Sequence, residues 1–285
     1  MGRIMENSGQ FTPTRTAEIL RSLGHVPSKK LGQNFLVDPN IVRKSLELAG
    51  VEEGDCVVEV GPGLGTLTGA LLSRGAIVYA VELDKSMCAH LRSYFAGEKN
   101  FSLLNADAVD FPLAGLPENC GDFKIVANLP YAISTPWLDA VLSGRLPSRM
   151  SLMLQKEAAL RFAAKNSSGD YSPISIFLSA ACEVGVPHKV SAACFFPRPG
   201  VDSMLLPLSR RENPRIFSPR AKSLIRRIFS RRRKQLGSIA KGLGGDSESV
   251  FGWLGVSGID PRTRPEAVPL PLWELLDETV SEGEK

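Results

Sequence analysis

The chain has 285 residues, of which 43% are hydrophobic and 22% are charged, and its formal net charge is +4. This length is sufficient for one large domain and a smaller one, and the composition excludes a disordered or fibrous protein. No uninterrupted apolar run approaches the length of a membrane span, so we expect no membrane association.

The five cysteines are odd in number and include no C-x-x-C pair. Several of them lie in apolar, strand-like runs, which favours reduced thiols over disulfides and gives a zinc site little support. The N-terminus lacks the apolar segment of a signal peptide. The pattern therefore predicts a cytoplasmic protein without a bound metal.

Apolar runs alternate with helical patterns along most of the chain. Strands are predicted at 56–60, 77–81, 101–105, 123–127, 151–154, in the region 181–190 and at 204–206. Helices are predicted to begin at Asp38-Pro39, after Gly65, and near Lys156 and Ser172. This alternation predicts an α/β fold with a doubly wound, largely parallel sheet.

The first strong strand is followed by Gly61-Pro62-Gly63-Leu64-Gly65, which opens a helix. Glycines at this position let a backbone approach a ligand at a helix N-terminus. A dinucleotide fingerprint needs a further glycine at position 66, where the chain has Thr66. Glu82 ends the second strand, and a carboxylate there can accept both hydroxyls of a ribose.

Two motifs follow the next strands. Asp107, before Ala108, could bond the amino group of an adenine or simply cap a turn. Asn128-Leu129-Pro130-Tyr131 must turn at its proline, which leaves an amide beside an aromatic ring at a strand end. Such a pair suits a nucleobase held for chemistry at its exocyclic nitrogen. Taken alone, however, these four residues favour a simple loop with Tyr131 packed on the core.

The C-terminal part is strongly basic, since residues 210–241 contain 12 Lys or Arg and one acid, Glu212. We predict a linker at 207–214 and then a helix from Ser218-Pro219 with an apolar side that reaches Ile239. Its other side carries Arg226, Arg227, Arg231, Arg232, Arg233 and Lys234. Charges of one sign repel one another unless a phosphate backbone neutralises them, which favours RNA binding over a solvated face. The predicted domains are 1–207 and 208–285, the second being small and helical.

Five ordered motifs carry a resemblance to a known family. They are Gly32-Gln33-Asn34-Phe35-Leu36, Glu59-x-Gly61-x-Gly63-x-Gly65, Asn128-Leu129-Pro130-Tyr131, Phe195-x-Pro197-x-Pro199-x-Val201-x-Ser203 and Phe229-x-x-Arg232-Arg233-Lys234-x-Leu236. From about Lys29 to at least Leu243, the chain resembles the rRNA adenine N6,N6-dimethyltransferases, a branch of the Rossmann-like methyltransferases that use S-adenosylmethionine (SAM). Leu129 and Gly32 favour the branch that acts on small-subunit rRNA.

The resemblance implies dimethylation of N6 on two adjacent adenosines near the 3′ end of small-subunit (16S) rRNA during ribosome assembly. It implies SAM as cofactor, S-adenosylhomocysteine as product, a pre-30S particle as partner, and a monomer. The residues implied for the SAM site are Asn34, Leu36, Gly61, Gly63, Glu82, Asp107, Ala108 and Asn128. Asn128, Leu129, Tyr131 and Phe195 would hold the target base.

Three other functions are open to the sequence. The first is methylation of large-subunit rRNA by an enzyme of the antibiotic-resistance type, which shares the SAM motifs. The second is a non-catalytic, methyltransferase-like assembly factor, which the intact Asn128, Tyr131, Glu82 and Asp107 disfavour. The third is a nucleotide-dependent oxidoreductase, which Thr66 and the basic C-terminal part disfavour.

Overall fold

The computed structural model describes residues 12–28 and 31–282. It divides into two compact units. The first contains the described residues up to Val141 together with Arg145–Ala159 and Glu183–Arg210, and the second contains Leu142–Gly144, Leu160–Cys182 and the described residues from Arg211 onward. The boundary between residues 207 and 208, as a division of function, stays a prediction. Lys29, where the resemblance begins, lies outside the described residues.

The strands form one large sheet and one small one. In chain order they are β1 (Phe35–Leu36), β2 (Cys56–Val60), β3 (Ile77–Glu82), β4 (Phe101–Asn105), β5 (Phe123–Asn128), β6 (Arg149–Gln155), β7 (Cys182–Val184), β8 (His188–Val190), β9 (Phe195–Phe196) and β10 (Ser203–Arg210). The large sheet has the order β4-β3-β2-β5-β6-β10-β7, with β8 paired to β10, while β1 pairs with β9.

The α/β architecture predicted from the sequence is confirmed. Strands β2 to β6 pair in parallel, and the chain runs outward from β2 to β4 before it returns to β5 on the other side of β2. The order of the strands therefore reverses between β2 and β5, which is where open α/β sheets bind ligands. The sheet departs from the parallel pattern at β10, which is antiparallel to β6 and β8.

Eleven α-helices accompany the strands among the described residues, and the second of them illustrates how helix ends are capped. They are α1 (Pro13–Ser22), α2 (Pro39–Ala49), α3 (Thr66–Ser73), α4 (Lys85–Tyr94), α5 (Ser134–Val141), α6 (Lys156–Phe162), α7 (Pro173–Ala181), α8 (Pro219–Phe229), α9 (Leu236–Lys241), α10 (Ser247–Ser257) and α11 (Leu270–Glu282). In α2, the Asp38 carboxylate accepts from Asn40 N and Ile41 N, and Gly50 ends the helix in a left-handed conformation. The apolar faces of α2 and α3 pack on Val57 and Val78 of the sheet.

The linker predicted at 207–214 is partly wrong, because β10 continues to Arg210. Pro207 lies within the strand, in register with Ser151 of β6. Its carbonyl still accepts from Gly185 N at 2.9 Å, so the proline removes only a donor from the ladder. The apolar run that continues to Leu208 is buried. Burial of that run outweighs the local rule that proline is disfavoured inside a sheet.

The second unit is helical, and its core is aromatic. Trp253 stacks on Trp273 with ring centroids 5.1 Å apart, and Phe229 packs beside Trp273 at 5.7 Å. Both indoles are satisfied, since Trp253 Nε1 donates to the Leu272 carbonyl and Trp273 Nε1 to the Val268 carbonyl. These contacts join α8, α10 and α11 into one small core.

The single basic helix predicted from Ser218 to Ile239 is wrong. It ends at Phe229, and α9 begins only at Leu236. Between them, Arg232 N donates to the Phe229 carbonyl and Lys234 N to the Arg231 carbonyl, as in tight turns. Like charges that lie three or four residues apart destabilise a helix. In a continuous helix, the four consecutive cations at 231–234 would place Arg231 and Lys234 at this spacing. The basic run therefore forms a turn.

Gly65 and Gly97 make a matched pair for testing the fold, since their φ angles are +88° and +89°. A Cβ at Gly65 would lie 2.7 Å from Phe95 Cε2, whereas a Cβ at Gly97 meets nothing within 4 Å. We expect Gly65→Ala to lower the free energy of unfolding by about 3 kcal/mol and Gly97→Ala by about 1 kcal/mol, measured with urea. Equal losses would show that Phe95 yields readily to the added methyl group.

Candidate active site

A cavity of about 270 Å³ lies where β2, β3 and β5 end. Its wall consists of residues 31–36, 59–64, 66–67, 81–83, 106, 108 and 128–133. Three of the five sequence motifs thus meet at one place, the point where the strand order reverses. That convergence supports the prediction that they form a single ligand site.

The glycine loop and Glu82 are joined by hydrogen bonds. Gly63 N donates to Glu82 Oε2 at 3.1 Å, and Asp84 N donates to Glu82 Oε1 at 2.9 Å. A Cβ at Gly63 would lie 3.0 Å from the Phe35 ring, so the loop and β1 approach as closely as glycine allows. Burial raises the pKa of Glu82, although these hydrogen bonds oppose the shift. The carboxylate is therefore held at the cavity wall by backbone donors.

Glu59 lines the same cavity, although no role was predicted for its side chain. Its side chain is 1% exposed, and Oε2 accepts from Thr68 Oγ1 at 2.6 Å. Oε1 is buried without a hydrogen-bond partner. Burial raises the pKa of Glu59 to about 8, with the Thr68 hydroxyl opposing the shift and Glu82 adding to it. The sequence could have indicated a functional role for Glu59, because this acid lies in the apolar run Val57-Val58-Glu59-Val60. Burial of an ionisable group is costly and is common at functional sites.

Asn128 is oriented by the segment that precedes β1. Its Nδ2 donates to the Asn34 carbonyl at 3.0 Å. Among the described residues, Asn128 Oδ1 has no hydrogen-bond partner, and neither does the Leu129 carbonyl. Both residues line the cavity, and Leu129 N is satisfied by the Met153 carbonyl.

The two aromatic residues predicted to hold a base lie in different surroundings. Tyr131 lines the cavity, and its hydroxyl lies 3.3 Å from Ser203 Oγ. Phe195 is 3% exposed and belongs to the same core cluster as Leu36, its partner in the β1–β9 pair. The structure places Phe195 in the core and not on the cavity wall. Its stacking on a base stays a prediction without support from this geometry.

The remaining predicted SAM residues lie at or beside the cavity. Asn34, Leu36, Gly61 and Ala108 line it. Asp107 is adjacent to that wall, and its Oδ1 accepts from Val109 N at 2.8 Å, which caps the local turn. The residues at the cavity fit SAM. Glu82 supplies a carboxylate for the ribose, small residues leave room for the planar adenine ring, and Glu59 has a buried oxygen without a partner. Their individual roles stay predictions.

The six predicted RNA-binding cations differ in how far they are paired within the second unit. Arg227 pairs with Asp246, and Arg232 pairs with Glu266 at 3.0 Å. The Arg226 guanidinium lies over the Phe177 ring at 5.4 Å. Arg233 and Lys234 are exposed and have no ion-pair partner among the described residues. With Arg231, they line an open basic pocket of about 450 Å³.

Within residues 12–28 and 31–282, no group of three or more His, Cys, Asp or Glu side chains is close enough to hold a metal ion. No helix there is long and apolar enough to cross a membrane.

The chain is similar to known proteins along most of its length. A family model described as ribosomal RNA adenine dimethylase matches residues 24–250. A ribosomal RNA small subunit methyltransferase A from Opitutus terrae is 57% identical over 270 residues, which cover 93% of this chain and 98% of that protein. A protein of the same name from Moorella thermoacetica is 38% identical over 284 residues, with coverage of 94% and 98%.

Two solved structures of methyltransferases are also similar to this chain. A dimethyladenosine transferase from Plasmodium falciparum has a TM-score of 0.70 and 26% identity, over 87% of this chain and 98% of that one. The 23S rRNA methyltransferase ErmE has a TM-score of 0.59 and 25% identity, over 87% of this chain and all of that one. Both similarities confirm the Rossmann-like methyltransferase fold.

The raised pKa of Glu59 predicts how stability depends on pH. Between pH 4.5 and about 8 the folded protein keeps a proton that the unfolded chain releases, so this contribution to stability falls as pH rises. Glu59→Gln imitates the protonated acid. We expect the Tm of the variant to gain on that of wild type from about pH 5 to pH 8, measured by calorimetry. Glu47→Gln, on the exposed side of α2, is the control, and a pH-independent difference for Glu59→Gln would contradict the assignment.

Proposed function

Because the chain belongs to the ribosomal RNA adenine dimethylase family, we propose that it methylates N6 of two adjacent adenosines near the 3′ end of small-subunit rRNA. The observation that supports this function is the orientation of Asn128, whose amide nitrogen donates to the Asn34 carbonyl, so that its oxygen is left for a ligand, as is the carbonyl of the next residue, Leu129. Two neighbouring acceptors suit the two hydrogens of an adenine amino group.

Methyl transfer from SAM does not require a side chain with a strongly shifted pKa as acid or base. SAM, when bound, supplies a methyl group on a sulfonium: the N6–CH3 bond forms as the S–CH3 bond breaks, the neutral thioether of S-adenosylhomocysteine leaves, and N6 loses one proton to water at each transfer. The protein has to prepare the acceptor, because the N6 lone pair is delocalised into the adenine ring. Hydrogen bonds from N6–H to Asn128 Oδ1 and the Leu129 carbonyl favour a pyramidal nitrogen whose lone pair points at the methyl group. Positioning of this kind supplies much of the rate enhancement.

The target adenosine must leave its stack to reach the cavity. Tyr131, on the cavity wall, offers a ring face, and a base–aromatic stack contributes about 1–3 kcal/mol. Glu82 takes the ribose of SAM in this proposal, and Asp107 with Ala108 takes its adenine. Glu59 lines the same cavity, and ionisation of its buried carboxyl would provide an acceptor for a cationic group of the bound cofactor.

Contact with the RNA backbone falls to the second unit. Arg231, Arg233 and Lys234 are exposed around one basic pocket, which suits phosphate groups. Arg226, Arg227 and Arg232 already contact Phe177, Asp246 and Glu266, so we assign them mainly to holding the helices. The partner in this proposal is a pre-30S particle, the protein acts as a monomer, and the compartment is the cytoplasm.

The experiment that tests the function uses purified protein and labelled SAM. Unmethylated small-subunit particles, naked small-subunit rRNA and large-subunit rRNA are offered in parallel, and nucleosides are analysed by mass spectrometry. We expect N6,N6-dimethyladenosine in small-subunit particles only. Label on large-subunit rRNA would assign the protein to the resistance-type branch. RNA binding without label on any substrate would make it a non-catalytic assembly factor.

Asn128→Ala separates base holding from cofactor binding. The substitution removes the unpaired oxygen and the bond to Asn34, and we expect the rate of transfer to fall by roughly 100-fold or more. SAM affinity, measured by calorimetry, should weaken far less. Tyr131→Ala should likewise impair methylation and leave SAM binding in place. Equal losses of transfer and SAM binding in Asn128→Ala would argue against a base-holding role.

A further inference from the structure

Four polar side chains to which no role in the site was assigned form a closed hydrogen-bonded group, which we term the clasp: His25, Gln33, Asp84 and Ser86. Gln33 Nε2 donates to Asp84 Oδ2 at 2.9 Å, and Gln33 Oε1 lies 2.9 Å from His25 Nε2. His25 Nδ1 lies 2.9 Å from Ser86 Oγ, which in turn donates to Asp84 Oδ1 at 2.6 Å. His25 and Asp84 side chains are only 11% and 13% exposed.

The direction of the Gln33 amide is fixed by its neighbours. Its oxygen also accepts from Ser28 N at 2.8 Å, so the nitrogen must be the end that faces Asp84. Asp84 divides its two oxygens between tasks. Oδ1 caps α4 by accepting from Ser86 N, and Oδ2 is left for Gln33. Each polar side-chain atom in the group lies within hydrogen-bond distance of another, and the Gln33–Asp84 pair has a defined donor and a defined acceptor.

The clasp holds residues 31–36, which we term the strap, along the wall of the cavity. Within the strap, Phe35 packs with Leu20, Leu64 and Met87 in a small apolar cluster. At its centre, the Asn34 carbonyl accepts from Asn128 Nδ2. One continuous chain of contacts therefore runs from Asp84 through Gln33 and the strap to Asn128.

We propose that the clasp is a positioning device for methyl transfer. It seats the Asn34 carbonyl against the Asn128 amide, and so keeps Asn128 Oδ1 toward the adenine amino group. An amide that is free to turn presents a donor to N6–H in half of its orientations, and that contact is repulsive. Gln33 and His25 thus act through Asn128 and not on substrate. This inference rests on the proposed function.

The same clasp could serve only to stabilise the N-terminal segment. The two roles differ in what they change, because a structural role affects unfolding and SAM affinity, whereas positioning affects the rate of transfer at saturating SAM. Gln33 and Asp84 allow a direct test, since the amide and the carboxylate can be exchanged between them. Asn at position 84 still caps α4, because its oxygen replaces Asp84 Oδ1.

The test compares Gln33→Glu, Asp84→Asn and the double variant Gln33→Glu/Asp84→Asn. Gln33→Glu sets two carboxylates against each other, and Asp84→Asn sets two amide nitrogens against each other. We expect each single variant to lower the single-turnover rate at saturating SAM by roughly tenfold or more, while the double variant returns to within about threefold of wild type. His25→Ala should lower the same rate. Asp122→Asn, an exposed carboxylate on the same unit, is the control for loss of charge and should be unchanged.

SAM affinity by calorimetry, Tm, and hydrogen exchange of residues 31–36 accompany the rates, and none of these needs rRNA. A double variant as slow as Gln33→Glu would overturn the proposal. So would single variants that lose SAM affinity or stability but turn over normally at saturating SAM. If wild type methylates nothing, the proposed function fails and the positioning role with it, and hydrogen exchange still shows whether the exchanged pair restores the clasp.

Discussion

Parallel strands that end at one edge of a sheet leave their last residues close together, and the site of this protein depends on how β2, β3 and β5 end. β2 ends in a glycine loop, β3 in Glu82, and β5 in Asn128. The parallel register fixes their spacing, because Glu59 lies beside Ala80 and Val58 beside Ile125. The cavity is therefore built by the sheet, and the loops refine a position that the strands already determine.

The sheet also determines the electrostatics of the site. Glu59 and Glu82 both face the cavity from strands covered by helices, where an ionised carboxylate is poorly solvated. Glu82 compensates with two backbone donors, whereas Glu59 has one hydroxyl and an oxygen with none. The pKa of both acids is raised by burial, and the two differ in the hydrogen-bond donors within reach of each.

The sequence predicted those parts of the molecule that depend on neighbouring residues. Each of these features depends on a few consecutive residues: the strand, glycine loop and helix at 56–73, the cap at Asp38 and the turn at Pro130. What escaped prediction depends on contacts between distant positions. Phe195 is buried because β9 pairs with β1, about 160 residues earlier in the chain. Pro207 is tolerated because a buried apolar run surrounds it, and His25 gains its role from Ser86 and Asp84, about 60 residues later.

The pairing of cations in the second unit has a consequence for how the protein responds to salt. An arginine that is already paired with a carboxylate is less available to neutralise a phosphate, so it releases fewer of the counterions condensed on the RNA. Arg227 and Arg232 are in this position, whereas Arg233 and Lys234 are not. The affinity for RNA should therefore fall less steeply with ionic strength than the count of basic residues suggests. A protein that carries many positive charges can in this way have an affinity for RNA that depends only weakly on salt.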